Sequence, residues 1–122
     1  MTAAATEDEI ATLRDLVAKI VTKLDGVELR PIIRSEGWFT RGSLFVLVSR
    51  QGRIVVRLPT EEAQDDLLAL PGASPWRIGN KPPMRAWIEL PAAMHSDRKA
   101  LGGWLRRAWE LAPAAKAKKK RK

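Results

Sequence analysis

The chain has 122 residues, of which 45% are apolar and 30% charged, with a formal net charge of +8, a composition typical of one folded domain. It has no cysteine, so disulfides, thiolate chemistry and cysteine-based metal sites are excluded, and no stretch approaches the roughly 18 apolar residues that would span a membrane. Because the first residues also lack the pattern of a signal peptide, the sequence predicts a cytoplasmic protein of bacterial type.

The first predicted element is an amphipathic helix. Thr6 and Glu9 have the spacing of a capping box, which predicts that the helix begins there. Apolar residues then recur at helical intervals as far as Leu24, and the following Asp25-Gly26 is predicted to end the helix.

A strand, a turn-rich stretch and a hairpin are predicted next. Residues 27–33 have the composition of a strand, and Pro31, which cannot donate to a ladder, favours the edge of a sheet. Residues 34–43 are rich in turn formers and are predicted to form an irregular connection. The apolar runs 43–49 and 53–59, separated by a glycine-containing turn, predict a β-hairpin.

The second half predicts a helix, a loop, a strand and a final helix. Thr60 is predicted to cap the helix over 61–70, and residues 73–83, with three prolines and a glycine, are predicted to be a loop. Residues 84–90 alternate like a strand. The final helix spans 98–112, and its cap is Ser96 or Asp97.

The final predicted helix contains two glycines and two tryptophans. Gly102 and Gly103 lie inside it, and each costs about 1 kcal/mol relative to alanine. They favour either a close packing contact or a later start of the helix. Trp104 is predicted to dock the helix on the sheet, whereas Trp38 and Trp76 are placed in loops.

These elements predict an α+β fold in a single domain over residues 1–113. The sheet is expected to be small and mostly antiparallel, with three to five strands, and the N- and C-terminal helices should pack on it. Residues 114–122 are predicted to be a basic, disordered tail, here called the basic tail.

Four stretches resemble the TfoX/Sxy N-terminal domain family of small bacterial proteins. They are SLFVLVSRQGRIVVRL, LALPGASPW, KPPMRAWIELP and DRKALGGWLRRAWELA, and the resemblance covers about residues 10–113. The matching motifs are packing motifs rather than catalytic ones. The family takes its name from regulators of bacterial competence. The resemblance therefore implies a TfoX-like fold and a regulatory or interaction module without a cofactor.

One candidate binding surface follows from strand alternation. If the strands at 53–58 and 84–90 are neighbours, their residues that face away from the core would form one surface; these are Arg53, Val55 and Arg57 in the first strand and Arg85, Trp87 and Glu89 in the second. Three interpretations remain open: solvated arginines whose stems cover the tryptophan, a nucleic-acid contact, or a protein contact.

The basic tail is the second candidate. Its six cations are Lys116, Lys118, Lys119, Lys120, Arg121 and Lys122. The remaining 16 basic and 14 acidic residues nearly balance, so most of the net charge belongs to the tail. Such a segment could bind nucleic acid non-specifically through phosphate neutralisation, or could serve only as a solubilising end.

No catalytic constellation is apparent. His95 is the only histidine and is interpreted as a surface or cap residue, and no glycine-rich phosphate loop or nucleophile motif is present. The sequence therefore predicts a non-enzymatic module with no metal, cofactor, small-molecule substrate or membrane contact. Its expected partner is a protein or a second copy of the chain. The alternative is a nucleic-acid-associated protein that uses the basic tail and the arginine-rich sheet face.

Overall fold

The computed structural model describes residues 6–32, 35–77 and 84–113, and within these ranges the chain has an α+β fold. The helices are α1 (Glu7–Val21), α2 (Glu61–Leu68) and α3 (Arg98–Leu111), with a short 3-10 helix at Ala92–Ser96. The strands are β1 (Val27–Ile32), β2 (Ser35–Thr40), β3 (Ser43–Val48), β4 (Ile54–Arg57), β5 (Ser74–Trp76) and β6 (Met84–Glu89). They form one antiparallel sheet in the order β1-β2-β3-β4-β6-β5.

Several predicted elements are confirmed by local geometry. The capping box of α1 is present, because Thr6 Oγ1 accepts from the Glu9 backbone N–H at 3.1 Å and the Glu9 side chain accepts from the Thr6 N–H at 2.8 Å. Thr60 caps α2, and Asp97 rather than Ser96 caps α3. The strand that contains Pro31 lies at the sheet edge, and β3 and β4 form the predicted hairpin.

The expected three to five strands were too few, since six are found in the described ranges. The stretch 34–43 was wrongly assigned as an irregular connection, because residues 35–40 form β2 between two other strands. Its turn is confined to Arg41 and Gly42, whose φ angles of 53° and 84° match the tight type I′ turn of a hairpin. The predicted loop over 73–83 begins with the short strand β5, and its residues 78–83 lie outside the described ranges.

All three helices cover the same face of the sheet. One continuous core joins Val17 of α1, Leu67 of α2 and Leu105 of α3 to alternate residues of the central strands. These residues, which lie in β3, β4 and β6 or directly after β4 and β6, are Val46, Val48, Ile54, Val56, Leu58, Ile88 and Leu90. The opposite face therefore has no described helix over it. None of the described helices is long and apolar enough to cross a membrane.

Neither explanation offered for the glycines of the final helix is correct. The helix begins directly after its Asp97 cap, so its start is not delayed. A Cβ atom added to Gly102 or Gly103 would meet no atom of another element within 4 Å, so neither glycine marks a close packing contact. Both positions are open to a larger residue.

We therefore expect Gly103→Ala to stabilise the protein by about 0.5–1 kcal/mol, because alanine lowers the conformational entropy of the unfolded chain and meets no obstacle in the helix. Urea unfolding followed by far-UV circular dichroism measures the change. Gly72→Ala is the matched control, with the opposite sign. Gly72 has a φ of 91°, and its added Cβ would lie 3.2 Å from the Pro91 Cβ. A destabilising Gly103→Ala would contradict the open environment described for α3.

Candidate functional site: the open face of the sheet

The face of the sheet opposite the helices, here called the open face, has a buried apolar centre. Leu47 of β3 and Val55 of β4 are direct cross-strand partners, and they are 4% and 0% exposed. Neither belongs to the core that the helices cover. Their burial on this face therefore does not come from the helix layer, and the side chains around them define the surface that a partner would meet.

An arginine and two tryptophans lie beside this centre. The condition set for this surface is met, because β4 and β6 are neighbours and Arg57 lies directly opposite Trp87 in their register. Trp76 of β5 packs edge-to-face on Trp87, with ring centroids 6.2 Å apart and an interplanar angle of 62°. All three side chains are half-buried, so each also contacts solvent. This group combines one cation with two aromatic rings that pack edge-to-face.

The β1–β2 side of the open face carries a second cation and ring. Phe39 and Leu44 are cross-strand partners in β2 and β3, and both are half-buried. The Arg30 guanidinium of β1 lies 5.3 Å from the centroid of the Phe39 ring and donates to Glu28 at 2.6 Å. Aromatic rings and arginines therefore occur at both sides of the apolar centre.

Arg53 does not join the Arg57–Trp87 group. Arg53 directly precedes β4 and Arg57 is its last residue, so the two arginines are about 13 Å apart along the chain direction. The Arg53 Nη2 atom donates to the backbone oxygens of Gly72 and Leu90 at 3.1 and 3.3 Å, and so ties two connections together. Arg53 therefore has a structural role. The Arg85 side chain and the six cations of the basic tail lie outside the described residues.

The structure fixes the point from which the basic tail leaves the domain. Arg41 donates to the backbone oxygens of Trp109, at 2.6 Å, and Ala112, at 3.0 Å, and its guanidinium lies 5.7 Å from the centroid of the Trp109 ring. Ser43 Oγ donates to the Pro113 oxygen at 2.6 Å. These contacts hold the chain at the β2–β3 turn through Pro113. The left-handed conformation of Arg41 costs about 1 kcal/mol or more, and its bonds to α3 offset that cost.

The tail origin and the Arg57–Trp87 group lie at the same end of the sheet. Antiparallel pairing places the start of β3 beside the end of β4, and Val46 of β3 pairs with Val56 of β4. The Cα atoms of Ser43 and Arg57 are therefore separated by roughly 10 Å along and across the sheet. The basic tail therefore begins at the same end of the sheet as the Arg57–Trp87 group, but directly after a helix that packs on the opposite face.

His95 lies in the 3-10 helix near Arg53. Burial, and then the positive charge of Arg53, lower the pKa of its imidazole below the usual 6.5. Its Nε2 atom is buried and makes no hydrogen bond within the described residues. The histidine is therefore half-buried and held neutral, rather than a freely exposed residue.

The lowered pKa of His95 predicts that acidification destabilises the fold. Below about pH 6.5 the unfolded chain takes up a proton that the folded chain resists, so the free energy of unfolding falls until the pH passes below the folded pKa. We expect this loss to begin as the pH falls through about 6.5 in urea unfolding, and we expect His95→Gln to flatten that part of the profile. Identical pH profiles for the two proteins would contradict the prediction.

Three residues of this site were not predicted from the sequence. Phe39 and Trp76 were assigned to irregular stretches, and Arg41 was given no role. One signal was available, because Arg41-Gly42 stands between two β-leaning runs, and a glycine-containing pair in that position is typical of a tight hairpin. The bonds from Arg41 to the end of α3 join residues about 70 positions apart and leave no local trace.

No family model matches the chain, and the search of curated proteins found no similar one. Within the described residues, no three histidine, aspartate or glutamate side chains come together as a metal site. The geometry of the open face is therefore the basis for the functional conclusions that follow.

Proposed function

We propose that this chain is a non-enzymatic interaction module resembling the TfoX N-terminal domain, and that it binds a partner protein through the open face. The observation that carries the proposal is the half-exposed group of Arg57, Trp76 and Trp87 on a sheet face with no described helix over it. Tryptophan and arginine are enriched among the residues that dominate binding energy at protein interfaces.

The surroundings of this group support the same function. Leu47 and Val55 are buried beneath this group and support it, and Phe39 and Arg30 continue the exposed surface toward β1. Strands β2, β3, β4 and β6 are each paired on both sides, so the backbone beneath this surface is held rigidly before a partner binds. A preorganised surface loses little conformational entropy on binding. Accessible aromatic and arginine side chains of this kind are enriched at protein interfaces.

The test compares partner binding by three proteins: the wild type, the double variant Arg57→Ala/Trp87→Ala, and the control Arg106→Ala. Arg106 is exposed on α3, in the helix layer. A protein captured by the wild type and the control would be purified and titrated against all three. We expect the double variant to weaken binding at least about tenfold, because aromatic and arginine hot spots each contribute about 1–2 kcal/mol or more. Equal affinities for all three would exclude the open face as the binding surface.

A second candidate, nucleic-acid binding, is favoured by the position of the tail origin. The basic tail begins at the end of the sheet where Arg57 and Trp87 lie, so a single strand of nucleic acid that follows this end could contact the tail with its phosphates and the half-buried rings with its bases. Base stacking on aromatic side chains contributes about 1–3 kcal/mol per base and tolerates any sequence. The tail would supply affinity and the open face would add contacts to single-stranded bases.

Fluorescence anisotropy with a labelled DNA duplex and a labelled single strand tests this candidate. If the six tail cations neutralise phosphates, log affinity for the duplex falls with log salt with a slope of about −5. A chain that ends at Pro113 loses that dependence, and Trp87→Ala weakens only the single-strand complex. Binding by the shortened chain to both probes alike would assign the contact to the folded domain. No binding by the full chain at physiological salt would exclude the candidate.

A further inference from the structure

The outer edge of β1 is open to another strand. Strand β1 pairs with β2 on one side, and none of the described strands lies on its other side. The outward-pointing backbone groups of an edge strand can therefore pair with a second chain. The segment from Val27 to Pro31 is the usable part of this edge, because Pro31 has no N–H to donate.

The centre of this edge carries an exposed apolar residue. Leu29 is 52% exposed and is the one large apolar side chain within the described ranges that is exposed to this degree. Its cross-strand neighbour in β2, Trp38, is only 2% exposed. Helix α1 contacts β3 and reaches as far as β2 through the Arg14–Glu36 pair at 4.0 Å. The helix layer therefore covers Trp38 and leaves Leu29 uncovered.

The residues on either side of Leu29 carry opposite charges. Glu28 and Arg30 point to the face opposite Leu29, and within one chain they form an exposed ion pair at 2.6 Å. The order Glu28, Leu29, Arg30 makes this segment self-complementary, because a second copy that runs antiparallel presents its charges in the opposite order. If two copies run antiparallel about the central residue, leucine faces leucine and each acid faces a base.

We propose that this edge binds a second copy of the chain. The two β1 strands pair antiparallel about a two-fold axis at Leu29, so that Glu28 of each copy faces Arg30 of the other. Val27 then faces Pro31 at each end of the pairing, where the missing proline N–H falls at the last position of the ladder. The contact is isologous and closes on itself.

The size of this contact makes the association weak. Only five residues of each strand take part, so the buried area is well below the roughly 1,200 Å² that stable interfaces bury. We therefore expect a dissociation constant on the order of 100 µM. A two-fold axis normal to the sheet keeps the helices of both copies on one side and joins the two open faces into one surface. Arg30 also borders the open face, so the pairing is tested by self-association of the chain alone, without any partner of the open face.

Sedimentation equilibrium on the full chain, from about 10 µM to about 1 mM at physiological salt, tests the pairing with charge reversals. In Glu28→Arg, bases face bases across the two-fold axis, and in Arg30→Glu acids face acids. We expect each variant alone to self-associate at least about tenfold more weakly than the wild type. An equimolar mixture of the two restores association, because every facing pair in the mixed dimer is then opposite in charge.

Arg106→Glu is the matched control. Arg106, like Arg30, forms an exposed ion pair with a nearby glutamate, at 3.5 Å, but it lies on α3. Arg106→Glu makes the same change in net charge as Arg30→Glu and should self-associate as the wild type does. Circular dichroism confirms that each variant is folded. The proposal is overturned if the wild type stays monomeric throughout the range, if the control weakens association equally, or if the mixture fails to restore it.

Discussion

Trp38→Ala should destabilise the protein by about 3–5 kcal/mol, the range found when a buried tryptophan is truncated to alanine. Trp38 is 2% exposed in the middle of β2, and Val46, its partner in β3, is fully buried in the core. Truncation leaves a cavity in the core, and β2, which is paired on both sides, cannot shift to close it. This loss would remove much of the stability of a typical small domain, about 5–15 kcal/mol.

The measurement is urea unfolding followed by far-UV circular dichroism, which does not depend on the deleted fluorophore. Trp76→Ala is the matched control. The same substitution there removes a half-buried ring of the short strand β5, so it should cost clearly less. Trp38→Phe keeps most of the buried volume and should fold even if the alanine variant does not. Equal small losses at positions 38 and 76 would contradict the placement of β2 inside the sheet.

Leu105→Ala should cost about 2–5 kcal/mol, because it removes the centre of the contact between α3 and the sheet. Leu105 is fully buried together with Leu101 and Ala108 on one stripe of the helix. Trp104, which the sequence analysis placed at this contact, is only half-buried at its margin, with the Arg107 guanidinium 5.2 Å from its ring centroid. The aliphatic stripe therefore provides most of the docking surface of the helix.

Thermal and urea unfolding of Leu105→Ala and Arg106→Ala separate this packing effect from a general effect on α3. The two residues are adjacent, but Arg106 is exposed, so its substitution should change the free energy of unfolding by no more than about 0.5 kcal/mol. Alanine is the strongest helix former, so helix propensity cannot cause a loss in either variant. Comparable losses for both variants would contradict the assignment of Leu105, rather than Arg106, to the packed contact with the sheet.

The open face and the β1 edge are both surfaces that the helix layer leaves free, and the basic tail leaves from the end of α3 at one end of the same sheet. Pairing through β1 would place two open faces side by side and two basic tails on one assembly. A partner protein or nucleic acid with two binding sites could then contact both copies at once. The first contact raises the effective concentration of the second site, and the overall affinity rises with it. Weak self-association can therefore matter for binding.

The α+β class, the helix starts and the β3–β4 hairpin could be predicted because their signals are local. The capping box of Thr6 and Glu9 places donors and acceptors three residues apart in sequence, so the pattern alone specifies the geometry. Pro31 restricts its strand to a sheet edge through its own covalent structure. The alternation that predicted Arg57 and Trp87 on one face follows from strand geometry, once β4 and β6 are neighbours.

Tertiary structure alone decided the position of β2, the burial of Trp38 and the separation of Arg53 from Arg57. The polar composition of β2 is that of a connection, but pairing with β1 and β3 satisfies its backbone groups and buries its tryptophan. Arg53 is held by carbonyl oxygens 19 and 37 positions away, which no local pattern encodes. A local pattern determines the contacts that neighbouring residues make with one another. Which distant strand or loop covers a side chain depends on how the whole chain minimises exposed apolar surface and unpaired backbone groups.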